Sequence, residues 1–109
     1  MIEDKLPQTL DEVREAIDGL DKGLIELLAR RQKLVRQAGR LKPKNDVRAV
    51  SAPERVAQVI TSRRAYAEKA GLSPEVAEAV WRSMIDVFIK LEMDTNLSLI
   101  HISDGAREA

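Results

Sequence analysis

The sequence predicts an all-α fold: a three-helix protomer, long-short-long, that forms an intertwined helical dimer. Three observations lead there. Leu10, Val13, Ile17, Leu20, Leu24, Leu28, Val35 and Ala38 recur at three-four spacing and so form one stripe on a helix. No segment alternates with the period of a strand, and no internal repeat stands out. A helix of roughly 30 residues is about 45 Å long, more than one small three-helix domain can cover. A second copy of the chain is expected to cover the remainder.

The elements follow in order. Residues 1–9 are a short lead-in. Thr9 or Asp11 can cap the first helix, and Glu12 stands at capping-box distance from Thr9. The helix is expected to run to about Leu41, weakened locally by Gly19, Gly23 and Gly39 and ended by Pro43. Pro43 to Ala52 is expected to be a loop. Ser51 and Glu54 have capping-box spacing, and Pro53 suits the first turn of a second helix that Gly71 stops. Ser73, Pro74 and Glu75 start a third helix, expected to run to about Thr95. Its apolar positions include Ala77, Val80, Trp81, Met84, Ile85, Phe88 and Leu91.

The helical domain is expected to occupy residues 1–96. Residues 97–109 are expected to be an irregular tail, since Leu99, Ile100 and Ile102 lack a clear partner period. The stretch Ser98 to Ser103 resembles read-through from a sequencing adapter, which leaves open whether the tail is native. No function is assigned to it.

The bulk properties bound the function. At 109 residues the chain is one domain with a modest core, 44% apolar and 33% charged. It has one Tyr, one Trp and one Phe, so the core must be built mainly from Leu, Ile, Val and Ala. Eighteen basic residues balance eighteen acidic ones, which disfavours a general nucleic-acid binder. The absence of cysteine excludes a disulfide framework, a cysteine-ligated metal and a thiol nucleophile, and a lone His101 does not support a His-rich metal site. No apolar run approaches the roughly 18 residues that span a bilayer. The N-terminal Met-Ile-Glu-Asp-Lys-Leu-Pro carries acids and lacks an apolar signal core. A cytoplasmic protein with no membrane, nucleic-acid or metal partner is expected.

Charges on the predicted inner faces mark the candidate site. Continuing the first stripe past Leu28 and Ala38 leads to Arg31 and Lys42, both cationic. Eleven residues are close to three turns, so the two share a face about 16 Å apart. A cation on such a stripe must snorkel, pair, or meet an anionic ligand. Glu92 continues the stripe of Trp81, Ile85 and Phe88 on the third helix, where another apolar residue is expected. Arg14 lies 17 residues before Arg31, about 25 Å along the helix. A small metabolite cannot touch both on one chain, whereas a dimer can bring Arg14 of one copy to the other copy's Arg31–Lys42 end. Structural readings compete at each position. Arg14 can be a solvated arginine, and Arg31 one member of a surface double arginine. Lys42 can serve the helix dipole, and Glu92 a buried ion pair.

Three motifs in register carry a resemblance. Leu10-Asp11-Glu12-Val13-Arg14-Glu15-Ala16-Ile17-Asp18-Gly19-Leu20-Asp21 looks like the opening of the all-α chorismate mutase family. Leu27-Leu28-Ala29-Arg30-Arg31 and Gly39-Arg40-Leu41-Lys42 match its next two signatures in order and spacing. Ala52-Pro53-Glu54-Arg55-Val56 resembles the second-helix start of its isochorismate-pyruvate lyase branch. The resemblance covers about residues 9–95. It implies an entwined helical homodimer with two shared pockets and a place in aromatic amino acid biosynthesis through the shikimate pathway. Arg31 and the partner copy's Arg14 are implied to bind the carboxylates of a small dicarboxylate substrate. Lys42 and Glu92 are implied to be the catalytic pair at the ether oxygen. Glu54 matches a position that approaches the ring hydroxyl, and Arg48 is a candidate to help close the pocket.

These residue types suit the implied chemistry. Arginine holds carboxylates through paired hydrogen bonds. Rearrangement of chorismate to prephenate is pericyclic and needs no nucleophile, metal or cofactor. The protein must select the compact conformer and stabilise charge building on the ether oxygen, which a preorganised cation does. Two departures from the family pattern stand out. Many bacterial members carry glutamine where Glu92 stands, and a glutamate donates a hydrogen bond only when protonated. The mutase branch often has an aspartate near Ala49 and an arginine near Ala52 or Pro53, which tilts the loop toward the lyase branch. The expected function is chorismate mutase. Isochorismate-pyruvate lyase, giving salicylate and pyruvate, is the alternative. A non-enzymatic helical dimer that binds a partner protein or an anionic metabolite is the third reading.

Overall fold

The computed structural model describes the backbone of residues 5–105 and the side chains of residues 5–97. Its element order is α1 Leu10–Leu41, α2 Val47–Ser51, α3 Pro53–Ala70 and α4 Pro74–Gly105. No strand occurs among the described residues, and none of these helices is long and apolar enough to cross a membrane. The long-short-long pattern holds at 32, 18 and 32 residues, with the five-residue α2 added between the first two. The chain divides into two compact units, Met1–Lys33 and Leu34–Ala109.

α1 begins as its sequence demands. The Glu12 amide donates to Thr9 Oγ1 at 3.1 Å, while Glu12 Oε1 accepts from the amides of Thr9 and Gln8 at 3.2 and 3.0 Å. This reciprocal box satisfies donors that a helix start leaves open. The helix ends at Leu41, before Pro43, as expected. In the first unit, Ile17, Leu20, Leu24, Ile25 and Leu27 are all exposed. These apolar side chains do not form a core of their own within that unit.

The expected Pro43–Ala52 loop contains α2. Asp46 caps it, with Oδ1 accepting from the Ala49 amide at 3.0 Å, and Val50 buries itself behind the turn. The expected Ser51–Glu54 capping box does not form. Ala52 occupies the cap of α3 in the left-handed region at φ 40°, with no side-chain cap bond, and Pro53 follows. Ser51 Oγ instead donates to the Arg48 carbonyl at 3.4 Å.

Gly71 ends α3 at φ 82°, a backbone geometry suited to glycine. The Leu72 amide then donates to the Ala67 carbonyl at 2.8 Å, and Ser73 Oγ accepts from the Val76 amide at the start of α4. α3 and α4 pack into a core of Val59, Ile60 and Ile85, flanked by Val56, Trp81 and Ile89. Each fully buried aliphatic side chain contributes about 1.5–3 kcal/mol.

Arg64 ties the two helices at the surface, donating to Glu78 Oε1 at 2.8 Å and to Glu75 Oε2 at 3.5 Å. Arg82 adds a bond to Glu78 Oε2 at 2.6 Å. Donation from Arg82, then from Arg64, holds the Glu78 carboxyl below the usual carboxylate value. Glu75 is held low chiefly by its own backbone amide at the α4 start, then by the Ser73 hydroxyl.

α4 continues to Gly105, past its expected end near Thr95. Between Glu75 and Asp104 there is neither proline nor glycine to break it, so residues 97–105 extend the helix rather than forming an irregular segment. Residues 106–109 of the expected tail lie outside the described residues.

Candidate active site

The site is built where the last turns of α1 meet α4. Close approach is possible because residue 39 is glycine. A Cβ on Gly39 would stand 3.0 Å from the Glu92 carbonyl oxygen and 3.1 Å from Glu92 Cγ. Three residues later, Lys42 leaves the helix end, and its Nζ donates to Glu92 Oε2 at 2.5 Å. The Lys42 side chain is 28% exposed and that of Glu92 is 9% exposed. A buried carboxylate without a counter-charge is costly, so each group fixes the other's place.

Lys42 and Glu92 are thus brought together, as the inward-facing pattern anticipated. Arg14 and Arg31 belong to the first compact unit, where Arg14 is exposed and Arg31 half-buried. Arg48 and Glu54 pair with each other, Nη2 to Oε2 at 2.6 Å, with both side chains largely exposed. Such an exposed pair contributes little to stability, about 0–1 kcal/mol, and is easily opened.

One residue of this region was not singled out from the sequence. Asn96 is 2% exposed. Its Nδ2 donates to the carbonyls of Gly39 and Pro43 at 2.9 and 3.2 Å, and its Oδ1 accepts from the Asn45 amide at 2.6 Å. The signal that marks Glu92, a polar residue on an apolar stripe, also marks Asn96 one turn further on.

A separate groove of about 490 Å³ lies between α3 and α4, lined in part by Arg63, Tyr66, Ala67, Leu72, Ala77 and Trp81. Among the described residues Arg63 is the one charged member of its lining, so the groove is a poor match for a dianion. The buried Trp81 Nε1 has no hydrogen-bond partner among the described residues. No cluster of His, Cys, Asp and Glu suited to a metal occurs among the described residues.

Fold and site together define an all-helical protein with an ammonium set against a buried carboxyl at the end of its long first helix. Residues 13–93 match the family described as chorismate mutase type II. The chain is 41% identical over 75 residues to the T-protein of Haemophilus influenzae, covering 69% of this chain and 20% of that protein. It is 38% identical over 76 residues to the T-protein of Enterobacter agglomerans, again covering 20% of that protein. It is 36% identical over 80 residues to the isochorismate pyruvate lyase of Pseudomonas aeruginosa, covering 73% of this chain and 77% of the lyase. The chain belongs to the chorismate mutase type II family. It spans about one fifth of the length of the T-proteins it matches.

Proposed function

We propose that this chain rearranges chorismate to prephenate, without a cofactor, in a pocket completed by a second copy of itself. The observation that carries the reading is the Lys42–Glu92 pair, a half-buried cation held against a buried carboxyl. In the rearrangement the ether carbon–oxygen bond breaks as a carbon–carbon bond forms, and negative charge builds on the ether oxygen. Lys42 stabilises that charge, and Glu92 stands beside it at the ether oxygen, holding the ammonium in place. Arg31 and Arg14 of the partner subunit grip the two carboxylates and hold the reactive conformer.

The exposed apolar face of α1 supports the homodimer. Leu20, Leu24, Ile25, Leu27 and Leu34 are each more than half exposed, a surface that a partner helix would bury. Chemistry on a free metabolite fits a cytoplasmic location.

A second reading, elimination of pyruvate from isochorismate, is favoured by the 36% identity to a lyase that this chain covers over 77% of its length. The same pocket groups would serve it. The test assays the purified protein with chorismate and isochorismate separately, following prephenate and salicylate. Prephenate formation supports the mutase, and salicylate formation supports the lyase. A folded helical protein that turns over neither is a binding module.

A further inference from the structure

The buried Asn96 carboxamide is a polar group that the proposed chemistry leaves unused. It sits four residues after Glu92 and so shares its face of α4. Its three bonds reach backbone on both sides of Lys42: the Gly39 carbonyl, the Pro43 carbonyl and the Asn45 amide. The Gly39 carbonyl belongs to the last turn of α1, which has no following helical amides to satisfy it. Asn45 is held at φ 62°, a left-handed conformation in which the chain turns away from α1. One side chain therefore clamps the segment from residue 39 to residue 45 and uses both Nδ2 hydrogens in doing so.

That segment decides where Lys42 stands. A lysine stem has four rotatable carbons, so its ammonium is only as well placed as the backbone beneath it and the partner ahead of it. Glu92 supplies the partner, and Asn96 supplies the backbone. Gly39 lets this part of α4 approach, since a Cβ there would meet Glu92 and stand 3.5 Å from Thr95 Cβ.

We propose that Asn96 is a positioning residue, which fixes the Gly39–Asn45 backbone and thereby aims the Lys42 ammonium at the reacting oxygen. This rests on the reading of Lys42 as the ether-oxygen donor. The test places Asn96→Asp, which keeps the acceptor but removes both donors, in the parent chain and in Lys42→Met. In the parent, kcat should fall about tenfold to a hundredfold with KM little changed, as for a misplaced catalytic group. In Lys42→Met the same substitution should change kcat by less than about threefold, because coupled residues are not additive. An equal loss in both backgrounds, or no loss in the parent, overturns the proposal.

A second measurement does not depend on turnover. The Lys42 ammonium signal in ¹H–¹⁵N spectra of lysine-labelled protein, assigned by its absence from Lys42→Met, should broaden or shift in Asn96→Asp. An unchanged signal overturns the proposal even if the parent acts on neither substrate, a result that would sink the reaction assignment separately. Asn96→Ser serves if Asn96→Asp does not fold. If neither folds, Asn96 is a stability residue and the proposal fails.

Discussion

A lysine near the end of a helix has an ordinary structural use, since its charge suits the carbonyl end of the dipole. What separates Lys42 from that use is Glu92, a buried carboxyl on another helix that receives its ammonium. Lys42→Met keeps much of the stem and removes the charge. Loss of a preorganised donor of this kind costs about 2.7–4 kcal/mol of transition-state stabilisation, a fall of about a hundredfold to a thousandfold in kcat. Initial rates with chorismate check this, with circular dichroism to show that the helices persist. Near-normal turnover by the folded variant would reduce Lys42 to a helix-end cation. Glu92 makes a different prediction. A carboxyl donates to the ether oxygen only with its proton, and without it repels the charge developing there. Glu92→Gln supplies an amide donor at every pH and nearly the same shape. At pH 8 the variant's kcat/KM should therefore equal or exceed the parent's. A folded variant that is much slower than the parent means that Glu92 works as a carboxylate that holds Lys42, not as a donor.

The crossing of α1 and α4 depends on one missing methyl group. Gly39→Ala gains about 1 kcal/mol of helix propensity. Against that, its Cβ meets a backbone carbonyl that cannot swing away, and overpacking costs about 1–3 kcal/mol. The melting temperature should fall modestly, and kcat should fall by more than that loss of stability explains, because Glu92 must move. Calorimetry beside steady-state rates separates the two, and unaltered kcat would show that this approach does not set the pair. Where α3 meets α4, Glu75 and Glu78 are both held below the usual carboxylate value. A lowered folded-state value favours the fold above the unfolded carboxylate range, near 4.3, and that contribution is lost as the pH falls through the folded value. Glu78→Gln should accordingly lose less melting temperature between pH 6 and pH 3 than the parent does. An identical acid dependence would mean that the Arg64–Glu78–Arg82 cluster is too well solvated to matter. These elements were unequally legible in the sequence. The Thr9–Glu12 box could be read because both partners lie within one turn. The Ser51–Glu54 box could not, because Arg48 takes Glu54 and Ala52 takes the cap. The end of α4 was not legible, because periodicity fades past Thr95 while no proline or glycine breaks the helix before Gly105.

At the scale of the whole molecule, periodicity shows which face of a helix is apolar but not what covers it. The α1 stripe was legible residue by residue, and so were Lys42 and Glu92 as polar intrusions on inner faces. Asn96 carried the same signal less plainly, because an amide on an apolar stripe stands out less than a charge. What remains uncovered is the first unit, with Leu20, Leu24 and Leu27 exposed beside the two arginines proposed to bind substrate. Arg14 and Arg31 stand about 25 Å apart along a rigid helix, a distance that one small dicarboxylate cannot bridge. A pocket using both must take one from each copy, and this can be tested by complementation. Arg14→Ala and Arg31→Ala homodimers should each be nearly inactive, since every pocket lacks one arginine. When the two chains are co-refolded, each heterodimer holds one pocket with both arginines and one with neither. Random pairing in a two-fold dimer makes half the molecules heterodimers, so the mixture should recover about one quarter of parental activity. Sedimentation should show twice the chain mass throughout, so that the recovery is read as exchange of subunits. A mixture that forms dimers yet recovers nothing would mean that Arg14 and Arg31 do not share a pocket across the interface.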